Sequence, residues 1–223
     1  MPRTISTSPA ARHVIAHRAG NRLGALRDAE QLGVRFVEAD VRLFWGRLEV
    51  RHLKTVGPLP LLWDRWQLAA PWAPRLQLAE LLASTRATTE LLLDLKGPRK
   101  RLGELVAAAL VPYLPDRRFT VCARSPRLLE PFDLLPVRRF HSVGSVRQLQ
   151  AFFRRFEGSR VDGVSVHARL LDREVVRDLR RVADAIVTWP VNRSDEATRL
   201  TGLGVDGLIS DSPGVLLSTG DAA

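Results

Sequence analysis

Glu38 and Asp40 lie two residues apart in the run Phe36-Val37-Glu38-Ala39-Asp40-Val41. Such a run reads as a β-strand, and residues two apart on a strand share a face. Val37, Ala39 and Val41 take the opposite face. Two carboxylates on one face are costly to bury unless a cation offsets them. Asp94 and Lys96 repeat the spacing in Leu91-Leu92-Leu93-Asp94-Leu95-Lys96. Acidic oxygens with no cysteine among them describe a site for a hard divalent cation, Mg²⁺ or Ca²⁺. A salt-bridge network with Arg18, Arg51 and Lys96 accounts for the same spacing equally well. His17 and His52 are candidates for general acid and base, because imidazole titrates near neutral pH. Arg18, by its fork, and Lys96, as a point charge, are candidates to hold phosphoryl oxygens. A cation, two proton-transfer groups and fixed positive charge together suit phosphoryl transfer.

These residues need a scaffold that brings several strand ends to one place. A recurring pattern supplies it: a short apolar, β-branched run, a polar residue, then a stretch of helical periodicity. Strands are expected at 14–17, 36–41, 91–96, 119–123, 137–141, 163–167, 185–189 and 207–211. Helices are expected at 23–32, 76–84, 101–110, 127–135, 146–156, 173–182 and 195–203, with a last one starting near Ser212-Pro213. A hairpin is expected over 43–52, turning at Gly46. The stretch 58–74, with Trp63, Trp66 and Trp72, reads as an ordered loop packed by its aromatics. Strict alternation implies parallel strands, and eight of them in this length favour an α/β fold, a single (β/α)₈ TIM barrel, over an open sheet. An open sheet usually carries a glycine-rich phosphate loop after its first strand, and His17-Arg18-Ala19-Gly20-Asn21 is not one. A barrel's chemistry sits at the C-terminal strand ends. Here those ends carry His17-Arg18, Glu38 and Asp40, Asp94 and Lys96, His141, His167, Trp189 and Ser210-Asp211.

The chain of 223 residues, 45% hydrophobic, suits one barrel domain over 1–223, with its core at about 14–217 and flexible termini at 1–12 and 218–223. The one cysteine, Cys122, lies in an apolar run and reads as a buried thiol. No apolar run is long enough for a signal core or a membrane span, so a soluble cytoplasmic protein is expected, with no stable membrane insertion. The net charge of +10 comes from dispersed arginines, lysine occurring only at 54, 96 and 100. Without a basic block or an aromatic ladder, no nucleic-acid partner is expected. The basic field would instead attract an anionic phosphodiester.

The order His17-Arg18, Asn21 opening a helix, Glu38-x-Asp40, His52, and Asp94-Leu95-Lys96 resembles the glycerophosphodiester phosphodiesterases. So do Thr188-Trp189-Pro190-Val191-Asn192 and the closing Gly204-Val205-Asp206-Gly207-Leu208-Ile209-Ser210-Asp211-Ser212-Pro213. The resemblance runs from about Val14 to Pro213. It implies a barrel that hydrolyses small-molecule glycerophosphodiesters to glycerol 3-phosphate and an alcohol, a step in lipid metabolism. By position, Glu38, Asp40 and Asp94 would bind the divalent metal, and His17 and His52 would be the acid–base pair. Arg18 and Lys96 would contact phosphate. Trp189, with His167 at the end of the preceding strand, would line the pocket; packing at the barrel rim explains Trp189 equally well. Ala19 stands where the family usually has glycine, Leu53 where aspartate is common and Asp94 where glutamate is usual, and the loop before Asn21 is shorter. Two other readings are a related barrel acting on lipid head groups, of the sphingomyelinase D or phospholipase type, and a catalytically impaired barrel that binds an anion.

Overall fold

The computed structural model describes residues 13–56, 59–64, 67–69 and 74–217. In chain order the strands are β1 (His13–Ala16), β2 (Phe36–Phe44), β3 (Arg47–Val50), β4 (Lys54–Val56), β5 (Leu59–Asp64), β6 (Gln67–Ala69), β7 (Glu90–Leu95), β8 (Phe119–Ala123), β9 (Arg138–Val143), β10 (Val161–His167), β11 (Ala183–Trp189) and β12 (Gly207–Ser210). The helices are α1 (Leu23–Gln31), α2 (Leu78–Ser84), α3 (Lys100–Leu110), α4 (Val146–Arg155), α5 (Arg173–Val182), α6 (Ser194–Gly202) and α7 (Pro213–Leu217). Eight strands pair in parallel in the order β1-β2-β7-β8-β9-β10-β11-β12, and β12 pairs back to β1, closing the barrel. The (β/α)₈ expectation is met.

The alternation of side chains builds two kinds of core. Val37, Ala39, Leu91, Leu93 and Val121 point outward and pack under the helices. Ile15, Leu92, Cys122, Phe140, Val187 and Ile209 fill the barrel interior. Cys122 is buried there, as its apolar context implies. The helices carry local start signals. Asp172 caps α5 by accepting from Val175 N at 2.8 Å, and Glu80 closes a capping box on α2 by accepting from Gln77 N at 2.8 Å.

Three expectations need correction. The helix expected over 127–135 is two 3-10 turns, Pro126–Leu128 and Glu130–Phe132. Pro131 lacks the N–H an α-helix needs there and its ring clashes with the preceding turn, so only short turns survive, although Leu128 and Phe132 still reach the core. The stretch 58–74 is not simply a loop: β5 pairs with β4 and β6 in a small antiparallel sheet. Trp63 does not pack it, being 41% exposed with the Lys54 ammonium over its ring, while Trp66 and Trp72 lie outside the described residues. His141 is not at the barrel mouth. Strand β9 continues to Val143, and His141 faces outward against Phe156 and Phe152, with ring centroids 4.6 and 5.9 Å away. Burial pushes its pKa down to about 4, so it serves packing as a neutral ring. The termini 1–12 and 218–223 lie outside the described residues. Among those described, no helix is long and apolar enough to cross a membrane.

Candidate active site

Strand register places the carboxylates. Asp40 pairs with Asp94, Asp94 with Cys122, and Cys122 with Phe140, so all four side chains form one inward-facing layer. Glu38 pairs with Leu92, one layer below. Adjacent strands lie about 4.8 Å apart, so the Asp40 and Asp94 carboxylates are necessarily neighbours. One oxygen from each of Glu38, Asp40 and Asp94 lies within 4.8 Å of the others. Glu38 is 3% and Asp40 1% exposed.

The short segment after β1 locks onto this layer. Arg18 adopts a left-handed conformation (φ 54°), which turns its backbone N–H toward Glu38 Oε2 at 2.7 Å. Asn21 clasps Asp40 twice: its Nδ2 donates to Oδ2 at 2.8 Å, and its Oδ1 accepts from the Asp40 backbone N–H at 2.8 Å. Gly20 permits the approach. A Cβ there would lie 2.6 Å from Ala39 Cβ and 3.2 Å from the Glu38 carbonyl oxygen. Gly20→Ala is therefore expected to push this segment off β2, cost about 1–3 kcal/mol by overpacking in denaturant unfolding, and loosen both contacts to the carboxylates.

Positive charge closes the layer from one side. Lys96 hydrogen-bonds Asp94 and approaches Asp40 Oδ1 at 3.2 Å, while Arg18 Nε stands 3.8 Å from Asp40 Oδ2. Burial lowers the basicity of Lys96, but Asp94, Asp40 and Glu38 outweigh it and hold the ammonium above its ordinary range. Burial would raise Asp40, yet Lys96, the Asn21 hydrogen bond and His52 keep it below the usual carboxylate range. Glu38 receives the Arg18 N–H. Burial first, then the charges of Asp40 and Asp94, push its carboxyl well above the ordinary value. Asp94 is also raised by burial despite Lys96. Two of the three carboxylates are thus under-compensated by the protein's own cations, and their oxygen-only donor set fits a hard divalent ion. The salt-bridge network expected as the rival does exist around Lys96, but Arg51 is not part of it: Arg51 pairs with the buried Glu49 at 2.6 Å.

His17 follows β1, the barrel neighbour of β2, the strand that carries Glu38 and Asp40. Its Nδ1 lies 2.6 Å from Asp211 Oδ1. Asn192 holds Asp211 in place: its Oδ1 accepts from the Asp211 backbone N–H at 2.8 Å and its Nδ2 donates to Oδ2 at 3.1 Å. Burial lowers the His17 pKa, with Asp211 opposing. Burial works against the Asp211 carboxylate, but Asn192 and His17 hold it below its usual range. His52 follows β3, its carbonyl accepting from the Arg42 guanidinium at 3.1 Å, and its charge acts on Asp40. Trp189 and His167 meet at the far rim, ring centroids 4.9 Å apart. Of the residues singled out from sequence, the structure gathers His17, Arg18, Glu38, Asp40, Asp94 and Lys96 around one mouth, with His52 electrostatically coupled to Asp40. Asp211, Asn192 and Asn21 are additional members that sequence reasoning assigned no role in the site. An open cleft of about 800 Å³ leads outward from Lys96, between the β2–β3 hairpin and the β7–α3 loop.

No family model matches the sequence, and neither does any curated protein. Solved structures do match. A phosphodiesterase from Oleispira antarctica, in complex with the product sn-glycerol-3-phosphate, is 22% identical, with 94% of this chain and 96% of that one covered and a TM-score of 0.73. A glycerophosphodiester phosphodiesterase from Thermotoga maritima is 21% identical, covering 93% and 98%, TM-score 0.71. Another from Parabacteroides distasonis is 18% identical, covering 94% and 97%, TM-score 0.73. Over nearly its whole length, the chain shares the barrel fold of these phosphodiesterases.

Proposed function

We propose that this chain is a metal-dependent hydrolase of small glycerophosphodiesters, releasing glycerol 3-phosphate and an alcohol in lipid turnover, with the barrel at about 14–217 as its working unit. The observation that carries the reading is the pairing, at one mouth, of three converging carboxylates with a histidine fixed by its own aspartate. The shared fold with structures of that activity supports it. Glu38, Asp40 and Asp94 would hold Mg²⁺ or Ca²⁺, which supplies positive charge for the phosphoryl oxygens. Lys96 and Arg18 add fixed charge beside it. Asp211 accepts the Nδ1 proton of His17, leaving a lone pair on Nε2. With its pKa lowered, His17 is neutral near pH 7 and suited to take a proton there. In hydrolysis the water oxygen bonds to phosphorus and loses its proton to one imidazole. The P–O bond to the alcohol breaks, and the departing oxygen takes a proton from the other, with His17 and His52 in these two roles.

The test is a panel of glycerophosphodiesters assayed with Mg²⁺, with Ca²⁺ and with chelator. Glycerol 3-phosphate should appear only with metal. Chelator-insensitive hydrolysis would return the carboxylates to the salt-bridge reading. Metal binding should also depend on pH. Burial and the neighbouring charges of Asp40 and Asp94 hold Glu38 well above its usual pKa, so it keeps its proton to higher pH than a free carboxyl does, and a bound ion must displace that proton. Affinity should therefore rise as pH rises through that raised pKa and fall below it. Calorimetry in buffers of different ionisation enthalpy should register the released proton. The same sign applies to stability: a raised carboxyl destabilises the metal-free fold as pH rises, so added metal should lift the melting temperature more at pH 8 than at pH 5.

A further inference from the structure

Arg124 follows β8 directly. Leu95 pairs with Ala123, so Arg124 stands next to Lys96 on the neighbouring strand. The two cations differ in what holds them. Lys96 is committed to Asp94 and Asp40. Among the described residues Arg124 forms no ion pair and donates no hydrogen bond, and its side chain is exposed. Its charge reaches Asp94, where it acts less than Lys96 and Asp40 do. The guanidinium lies at the end of β9. A Cβ on Gly144 would be 3.7 Å from Arg124 Nη2 and 3.6 Å from Trp189 Cη2. Glycine at 144 thus leaves a gap between guanidinium and indole. The Gly144 backbone is already satisfied: its N–H donates to Gln148 Oε1 at 2.7 Å, and its carbonyl accepts from Arg169 Nη2 at 3.1 Å. The Arg124 guanidinium, with five N–H donors and no acceptor, is left to meet a ligand there. Its planar fork matches phosphoryl oxygens.

We infer that Arg124 is a further phosphate-binding residue of the reaction: it holds the phosphoryl oxygens of the substrate, and of the glycerol 3-phosphate product, from the Gly144–Trp189 side of the mouth, while Lys96 keeps the carboxylates in place. The inference rests on the hydrolase reading for its ligand. Asp94 and Cys122 share a register, and Arg124 comes two residues after Cys122, one step nearer the mouth than the carboxylate layer. A phosphoryl group bound above that layer meets an arginine whose charge no carboxylate has claimed by a salt bridge. Negative charge that builds on the phosphoryl oxygens during hydrolysis is stabilised by a donor already in place.

The experiment titrates sn-glycerol 3-phosphate calorimetrically into the Mg²⁺-loaded protein and follows turnover of glycerophosphoglycerol beside it. Arg124→Ala should weaken glycerol 3-phosphate binding and lower kcat/KM by at least about tenfold each, the scale of one charged hydrogen bond. Arg124→Lys should recover part of both, and added guanidinium ion should restore part of the turnover of Arg124→Ala. Arg154→Ala removes the same charge from the exposed last turn of α4 and should change neither. Stabilisation by Mg²⁺ in melting curves should persist in Arg124→Ala, because the residue holds phosphate and not the ion. Unchanged binding and turnover, or a loss matched by Arg154→Ala, would overturn the inference. So would a parallel loss of Mg²⁺ stabilisation, which would mean that Arg124 acts through the carboxylates. If the unaltered protein hydrolyses no glycerophosphodiester, the hydrolase reading fails instead, and calorimetry alone decides: Arg124-dependent binding of glycerol 3-phosphate upholds the site, and absent or Arg124-independent binding ends it.

Discussion

Asp40→Asn is expected to remove divalent-metal binding and to lower turnover by at least about 10²–10³-fold, the scale of losing one strong electrostatic stabiliser. Asp40 is the hinge of the layer. It is flanked by Asp94 in the same register, approached by Lys96 at 3.2 Å and clasped twice by Asn21. The substitution is nearly isosteric, so packing is preserved. It also separates the two accounts of the cluster. If the carboxylates form a structural ion-pair network, removing Asp40's charge strips Lys96 of a partner and lowers stability, with or without metal. If they form a cation site, the loss relieves repulsion on Glu38, and metal-free stability holds or rises while metal-induced stabilisation vanishes. Melting curves with and without Mg²⁺ read this directly. Asp94→Asn should behave similarly, whereas Asp94→Glu should keep useful metal binding, because a longer arm still reaches a site whose remaining positions water can fill. Metal-induced stabilisation persisting in Asp40→Asn would sink the assignment.

The parts of this site legible in the sequence are those set by local periodicity. Glu38 and Asp40 share a face because strands repeat every two residues, and outward-facing Val37, Ala39 and Val41 leave them only the interior. Asp94 joins them because βα alternation makes the third barrel strand the neighbour of the second. The contact between His17 and Asp211 was not legible in the same way. The two are 194 positions apart and meet only because β12 closes on β1, a consequence of the strand count rather than of any local signal. The ending Ser210-Asp211 does mark a strand end with chemical side chains, and that is the local signal of the contact. From sequence Asn21 reads only as opening a helix; its double clasp depends on how closely Gly20 lets the segment approach Ala39. The errors have physical sources too. Apolar spacing over 127–135 outweighed Pro131, and the prolines of 58–74 hid backbone pairing that is antiparallel and outside the barrel. His141 reads as a mouth residue from sequence because the apolar run stops at it, whereas the strand continues two residues further, to Val143.

Asp211→Asn should lower kcat by about 10²–10⁴-fold, the range for a misoriented or wrongly protonated catalytic imidazole, with KM changed far less. The argument starts from the 2.6 Å contact between His17 Nδ1 and Asp211 Oδ1. A carboxylate can only accept, so Nδ1 must donate, and Nε2 is left with its lone pair. An amide can donate instead, and it then stabilises the tautomer in which Nε2 carries the proton and cannot take another. The fold should tolerate the change. Asn192 binds Asp211 through the backbone N–H as well as through the side chain, and the His17 backbone N–H remains on the Ser210 carbonyl at 2.8 Å. The pH profile distinguishes an effect on the proton from mere loosening. Asp211 raises the His17 pKa against the lowering effect of burial. Removing its charge lets that pKa fall further, so the acid limb of the residual activity, where His17 must lose its proton to act as base, should move to lower pH. Asn192→Ala, which loosens Asp211 but keeps its charge, should cost less turnover and leave the limb nearly in place. An Asp211→Asn protein with full turnover, or with an acid limb that does not move, would show that His17 does not work through Asp211 and would leave His52 to carry the proton transfers.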